Sequence, residues 1–359
     1  MGSIKDGANY APSSKVAPVI GRGEFQYAAA FLDHGHIVGQ CNGLRDAGAT
    51  LKWVYDPDPE RVARFCLKFP LVQVAKSFDE ILQDPLVQLV TSAAVPNQRA
   101  AIGCQVMKSG KHYFTDKSPF TSLRQLEEVR KVILATGRKY MVYYAERLHN
   151  DAAWIAGDLI GEGAIGKVLQ VVNLAPHRLA QETRPSWFMN KSCYGGILTD
   201  IGSHQVEQFL SYANCSDATI NFARAENIYH QDSPGLQDFG ELSMIGSNGA
   251  SFYTRVDWFS PEGLRTWGDG RTFVLGTNGT IEIRKYIDIA REAPASKLFI
   301  ANADGEQEID CLGRSGFPFF GKFILDCVNG TELAMTQAHA LKAAELSMRA
   351  QDLADYKPK

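Results

Sequence analysis

The chain reads as an N-terminal, Rossmann-type α/β domain followed by an α+β domain built on an open, mostly antiparallel sheet. Three observations lead there. Its 359 residues exceed one typical domain. From Phe25 to about residue 145, short apolar runs alternate with helical stretches of roughly 10 to 15 residues, the rhythm of βαβ units. Beyond that point long strand-like runs follow one another with few helices among them.

Residues 1–24 are expected to be a polar tail. FQYAAAFL (25–32) is uniformly apolar, as befits a strand buried on both faces. IVGQCNGLRDAG (37–48) follows as a helix, TLKWVYD (50–56) as a strand and PERVARFCLKFP (59–70) as a helix closed by proline. LVQVA (71–75) is a short strand, and Ser77 caps the next helix. LVQLVTSAAV (86–95) is a strand, and NQRAAIGCQVMKSG a helix stopped by Gly110. Strand KHYFTD (111–116), a helix over 122–137 opened by Ser122, and strand KYMVYYA (139–145) complete the first domain, residues 25–145.

The second domain, 146–359, opens with helix DAAWIAGDLIGEG and strand GKVLQVVNLA. DATINFARAENIYH, the run 239–259, the run 272–285 and KLFIANADGEQEID read as further strands. SNG (247–249) and TNG (277–279) are hairpin turns, where Asn and Gly accept positive φ. FFGKFILDCVNG and QAHALKAAELSMRAQDLA end the chain as helices expected to pack back on the first domain.

Composition removes several function classes. A net charge of −3 carries no basic footprint for nucleic acid or an anionic membrane. No apolar run reaches the roughly 18 residues that cross a bilayer. Seven scattered cysteines without a CxxC pair argue against a disulfide framework or a zinc site. With no apolar signal core at the N-terminus, the expected compartment is the cytoplasm.

A dinucleotide site needs a strand, a tight glycine turn and a helix, with an acid at the end of the second strand. IGRGEF (20–25) has Gly21 and Gly23 at the right mutual spacing, but Asp56 lies 35 residues past Gly21. LDHGHIVG is poorer in glycine and better placed: a strand precedes it, a helix follows, and Asp56 comes 21 residues after Gly35. The expected cofactor turn is therefore Asp33, His34, Gly35, His36 and Ile37, with Asp33 where the first glycine usually stands. An acid at the strand end favours NAD over NADP, although Arg61 and Arg64 stand nearby. His34 and His36 lack a third metal ligand within sequence reach, so no metal is expected.

Two further segments carry chemistry. FTDKSPFTS sets Lys117 just past a strand end, where ligands bind in open α/β sheets. GGILTDIGSHQVEQFL sets Asp200 and His204 four apart, on one face if the segment is helical.

Taken together with VYDPDPERV, PNQRA, GKHYFTDKSP, RPSWF, GGILTDIGSHQ and LGTNGTIEI, the chain resembles the Gfo/Idh/MocA oxidoreductases over roughly residues 25–355. The resemblance implies a Rossmann domain and an open sheet that mediates oligomerisation, hence a homodimer or homotetramer. It carries the family's E-K-P lysine onto Lys117 and the D-x-G-x-H residues onto Asp200 and His204, and it puts Pro96, Asn97 and Asp116 beside the cofactor. Departures are D-K-S-P for E-K-P, Ala100 where many members have histidine, and the missing first glycine.

The expected activity is hydride transfer between NAD and a secondary alcohol or ketone of a sugar, polyol or related cyclic hydroxy compound. His204 is the expected base and Lys117 the group that polarises the oxygen, or itself the base if burial lowers its pKa. Asp200 binds a hydroxyl or orients the pair. Tyr144, Arg147, His177, Arg184 and Trp187, with Glu146, are expected to line the substrate cleft. Two alternatives remain open: a glycosidase that retains NAD and oxidises its sugar transiently, and a non-catalytic nucleotide-binding sensor on the same fold.

Overall fold

The structure is a computed structural model that describes residues 6–14 and 16–356, so the expected tail of residues 1–24 lies partly outside it. The described residues form two compact units. One comprises residues 8–143 and 316–340; the other comprises 144–315 with residues 6–7 and the C-terminal stretch from Leu341.

The first unit holds β1 (Gln26–Ala30), α1 (His36–Asp46), β2 (Thr50–Tyr55), α2 (Pro59–Lys68), β3 (Gln73–Val74), α3 (Phe78–Gln83), β4 (Val87–Ser92), α4 (Arg99–Lys108), β5 (His112–Asp116), α5 (Leu123–Thr136) and β6 (Tyr140–Tyr143). The six strands are all parallel, in the order β3-β2-β1-β4-β5-β6. The order reverses between β1 and β4, and that switch point is where open α/β sheets bind ligands. The apolar runs behave as expected for strands covered on both faces: Tyr27, Ala28, Ala29 and Ala30 are all sealed. Asp58, Ser77 and Ser122 each accept a backbone N–H from the first turn of their helix, and Gly137 ends α5 in the left-handed region.

β1 stops two residues short of the expected Leu32. Phe31 adopts φ 58° and turns the chain out of the sheet, which hands the Leu32 N–H to the Asp56 carboxylate. The strand expected over 71–75 is pared to two residues at the sheet edge.

The second unit opens with short helix α6 (Ala145–Leu148), then α7 (Asp151–Gly161) and β7 (Val168–Pro176). α8 (Lys191–Tyr194), α9 (Ile197–Asp200) and α10 (Gly202–Tyr212) precede β8 (Ala218–Glu226), β9 (Phe239–Gly246), β10 (Ser251–Asp257), β11 (Arg271–Gly276), β12 (Gly279–Arg284), β13 (Lys297–Asn302) and β14 (Gly305–Asp310). These form one eight-stranded sheet, β14-β13-β12-β11-β7-β10-β9-β8, antiparallel except where β7 meets β10. Strict alternation along β11 buries Thr272 and Val274 and leaves Phe273 and Leu275 about two-fifths exposed, so one face of the sheet is open.

The chain closes with α11 (Pro318–Asn329), which belongs to the first unit, and α12 (Gln337–Asp355). Gly43 in α1 is the seat of α11: any side chain there would overlap the Phe320 ring. No helix among the described residues is long and apolar enough to cross a membrane.

Candidate active site

The turn after β1 sits at the switch point, as its sequence context required. Gly35 is the residue before α1, with His36 as the first helical position. Ile37 is buried beneath the turn. Asp33, standing where a first glycine is usual, is not idle: Arg61 of α2 reaches its carboxylate at 2.7 Å and Asp56 at 3.2 Å. Burial raises the Asp33 carboxyl above its ordinary value, against the pull of Arg61. Asp56 accepts from the N–H groups of Leu32 at 2.6 Å and Asp58 at 2.8 Å, which fixes its carboxylate at the end of β2.

The chain's own N-terminal segment lies along this turn. A side chain at Gly35 would meet the Ala8 carbonyl oxygen, and a Cβ at Gly39 would stand 2.8 Å from the Tyr143 hydroxyl and 3.3 Å from the Tyr10 carbonyl. Asn42 donates to the Ala11 carbonyl at 3.3 Å, and the Ser14 N–H donates to Asp46 at 2.9 Å. Residues 8–14 therefore run along α1, an arrangement that polar composition alone did not foretell. The turn has the parts a dinucleotide uses, a helix N-terminus at the switch point and glycines at positions 35 and 39, but a pyrophosphate would have to displace the Ala8 and Tyr10 carbonyls to reach them.

At the carboxyl ends of β4 and β5 a buried charge cluster forms. His36 Nδ1 lies 3.0 Å and His34 Nδ1 3.5 Å from the two Asp116 oxygens. The third ligand that sequence distance hid is thus Asp116, and the three groups stand within 4.8 Å of one another. Yet the same carboxylate accepts the Lys117 N–H at 2.9 Å and faces the Arg99 guanidinium at 3.4 Å, and a fixed cation there opposes a dication. Burial would raise the Asp116 carboxyl; His36 and Arg99 override it and hold it far below the usual range.

Arg99 is the residue that sequence reasoning missed. Only 1% exposed, it donates to the carbonyls of Ala94 at 2.6 Å, Lys117 and Ser118, stapling the end of β4 to the residues after β5. A lone arginine opening the otherwise apolar helix AAIGCQVM was the available signal. Pro96 and Asn97 form the short turn just before it; Pro96 is buried, and the Asn97 carbonyl accepts from Gln125 at 2.9 Å. Lys117 is itself only 8% exposed.

In the second unit, Asp200 ends α9 and His204 lies in the first turn of α10, with Ile201 continuing the helical backbone between them. Both are buried. Tyr144 packs edge-on against the His204 ring at 6.1 Å. Glu146 gathers the neighbourhood: its carboxylate accepts from Lys285 at 3.0 Å and Gln205 at 2.9 Å and lies 3.5 Å from His177 Nε2. Burial alone would push its carboxyl up; Lys285, His204 and His177 together hold it well below the carboxylate range. Lys285 was not anticipated. His177 is keyed by its Nδ1 against the Ala175 carbonyl at 3.0 Å and stands among the Trp258 and Trp267 rings. Arg184 follows as the extended residue that closes the Gln181–Thr183 3-10 turn, and Trp187 lies in the next one, Ser186–Met189.

Arg147 does something other than what was expected of it. Its guanidinium forms a forked, buried pair with Glu207 of α10 and lies 5.8 Å from the Trp154 ring centre, so it holds α6 to α10 and α7 rather than facing a ligand.

Comparison with known proteins agrees with this architecture. Residues 17–144 match the oxidoreductase family with the NAD-binding Rossmann fold, and residues 155–282 match the GFO/IDH/MocA C-terminal domain. A crystal structure assigned to an oxidoreductase from Erwinia carotovora atroseptica SCRI1043 is 42% identical, with a TM-score of 0.89 over 92% of this chain and 99% of that one. Levoglucosan dehydrogenase in complex with NADH and levoglucosan shares the fold at 18% identity, with a TM-score of 0.74 over 92% of this chain and 96% of that one. Scyllo-inositol 2-dehydrogenase (NADP(+)) IolW of Bacillus subtilis is 28% identical over 49% of this chain and 50% of its own length. D-xylose dehydrogenase of Paenarthrobacter nicotinovorans is 26% identical over 47% of each. The chain thus spans about half the length of these curated relatives. With two family models on its two halves and a 42% identical structure along nearly its whole length, the chain belongs to the Gfo/Idh/MocA family of oxidoreductases.

Proposed function

We propose that the protein transfers a hydride between NAD and a secondary alcohol or ketone of a sugar, polyol or related cyclic hydroxy compound. The observation that carries this reading is Lys117: it follows directly on β5, two strands from the Gly35 turn, and is held by Asp116 and Arg99 on either side of its peptide. A lysine fixed at the carboxyl end of a parallel sheet is placed to polarise an oxygen of a ligand bound there. A bound nicotinamide supplies the hydride acceptor. Asp33, His34, Gly35, His36 and Ile37 form the turn that receives the dinucleotide, with Pro96 and Asn97 flanking it. Arg61 is neutralised by Asp33 and Asp56, which supports NAD over NADP because this cation is already committed and not offered to a 2′-phosphate.

In the second unit His204 takes the proton from the hydroxyl being oxidised, and Asp200 binds a neighbouring hydroxyl. Burial of both keeps water away from the proton being moved. The open face of the eight-stranded sheet supports a homodimer or homotetramer, and the seven free cysteines fit the reducing cytoplasm.

The experiment is a fluorescence titration with NADH and NADPH, followed by NAD⁺ reduction assays on polyols and sugars. Lys117→Ala and His204→Gln should each lower kcat/KM at least about 10³-fold, the order of a lost acid–base or electrostatic group. NADH must also accumulate over many turnovers. Nucleotide bound tightly with no net NADH released would favour the NAD-retaining glycosidase. No nucleotide bound, and none carried through purification, would sink both readings.

A further inference from the structure

Arg184 poses a question that the proposed chemistry leaves unanswered. Its side chain is 4% exposed, lying 4.8 Å from the Phe188 ring centre and 5.0 Å from that of Trp258. Its Nε donates to the Leu179 carbonyl at 2.9 Å and its Nη2 to the Arg178 carbonyl at 3.3 Å. Carbonyls satisfy hydrogen bonds but do not neutralise a charge, and a guanidinium this deeply placed needs a counter-ion. That counter-ion is the Asp6 carboxylate, 3.3 Å from Nη2.

Asp6 belongs to no helix or strand. The next residue, Gly7, lies flat against the Trp267 indole, where a Cβ would come within 3.0 Å of the ring. Trp267 in turn packs on His177 at 4.7 Å, and His177 faces Glu146. Asp200 is among the charges that act on Arg184. A carboxylate on a buried guanidinium, with a slim apolar group against an indole face, has the form of a ligand's contacts although the chain itself supplies them. Aromatic faces are suited to the flat C–H surface of a sugar ring, and the planar fork of arginine is suited to a carboxylate.

We propose that Arg184 is the seat of a carboxylate on the substrate, with Trp267 beneath its ring, and that the Asp6–Gly7 pair stands in for that substrate. The substrate class is then a carboxylated polyhydroxy compound, a uronate or aldonate, rather than a neutral sugar. This rests on the reading that the second unit binds a polyhydroxy substrate near Asp200 and His204. It assigns Asp6 as an internal competitor.

Isothermal titration with D-glucuronate, D-gluconate, D-glucose and D-glucose 6-phosphate tests it, with and without NADH, on the full chain and its Asp6→Asn and Arg184→Lys forms. We expect one of the two carboxylates to bind at least tenfold more tightly than glucose. Asp6→Asn, at a site outside the regular elements, should tighten that binding severalfold by removing the competitor. Arg184→Lys keeps the charge but loses the fork, and should weaken the carboxylate about tenfold more than it weakens glucose. Equal affinity for glucuronate, gluconate and glucose, no gain in Asp6→Asn, or a preference for glucose 6-phosphate would each overturn the proposal. Because the titration without NADH reads Arg184 directly, a failure of the nucleotide to bind would count against the cofactor reading alone.

Discussion

Lys285 Nζ lies 3.0 Å from Glu146 Oε2, and the two side chains keep only 1% and 4% of their surface. The pair joins the end of β12 to α6, at the opening of the second unit, and the same carboxylate faces His177 and accepts from Gln205. Removing one member of such a pair leaves the other as an uncompensated buried charge. Glu146→Gln is therefore expected to cost about 3–5 kcal/mol in urea unfolding. The double variant Glu146→Gln, Lys285→Met should regain most of that loss; a double variant as unstable as the single one would show that the charge is not what matters.

The Asp33–Arg61 pair bears on the proposed preference for NAD. Asp33→Asn removes the nearer of the two carboxylates that neutralise Arg61. The freed guanidinium should improve NADPH binding relative to NADH by about tenfold, the weight of one charge-assisted contact. Parallel fluorescence titrations of the two nucleotides measure the ratio, and an unchanged ratio would place the 2′-position elsewhere.

The segment over the turn should cost nucleotide affinity. Deleting residues 2–10 removes the Ala8 and Tyr10 carbonyls from the face of Gly35 and Gly39. NADH is expected to bind severalfold more tightly to the shortened chain. Weaker binding would mean that these residues help to hold the nucleotide instead.

His149 is sealed, and burial lowers its pKa to about 3. The unfolded chain, with a value near 6.5, takes up its proton first as the solution is acidified. Stability from the neutral imidazole is complete above pH 6.5 and drains away as pH falls toward 3. The loss should reach roughly 2 to 3 kcal/mol by pH 4.5. Denaturant melts across this range in the parent and in His149→Gln, which cannot titrate, isolate the contribution.

Phe273 and Leu275 lie on the open face of the eight-stranded sheet. A Phe273→Glu, Leu275→Glu double variant should shift the protein toward monomer in sedimentation velocity while leaving its circular dichroism unchanged. The same sedimentation profile before and after would remove this face from the assembly.

Much of the first unit was readable because its signals are local. The polyalanine strand, the Ser77 and Ser122 caps and the 21-residue step from Gly35 to Asp56 each show within a short stretch of sequence. In the candidate site, GGILTDIGSHQ names Asp200 and His204 together, and the structure sets both, buried, on consecutive helical segments. What stayed hidden were partners far apart in sequence. Asp116 comes 80 positions after His36, Lys285 139 after Glu146, and Arg184 178 after Asp6. No periodicity within a helix or strand reports such distances; only the strand order does. Arg147 misled for a related reason, since a charged residue beside a cleft motif looks the same in sequence whether it serves a ligand or a Glu207 sixty positions away.

Phe320, seated on Gly43, has a consequence for how the protein is made. The first unit needs residues 316–340, so its α11 is still missing when the nascent chain has been translated through β6. At about 5–20 residues per second, the 197 residues between positions 143 and 340 take the ribosome roughly 10 to 40 s. Through that interval the Gly43 side of α1 waits uncovered, a surface on which a chaperone would find its footing.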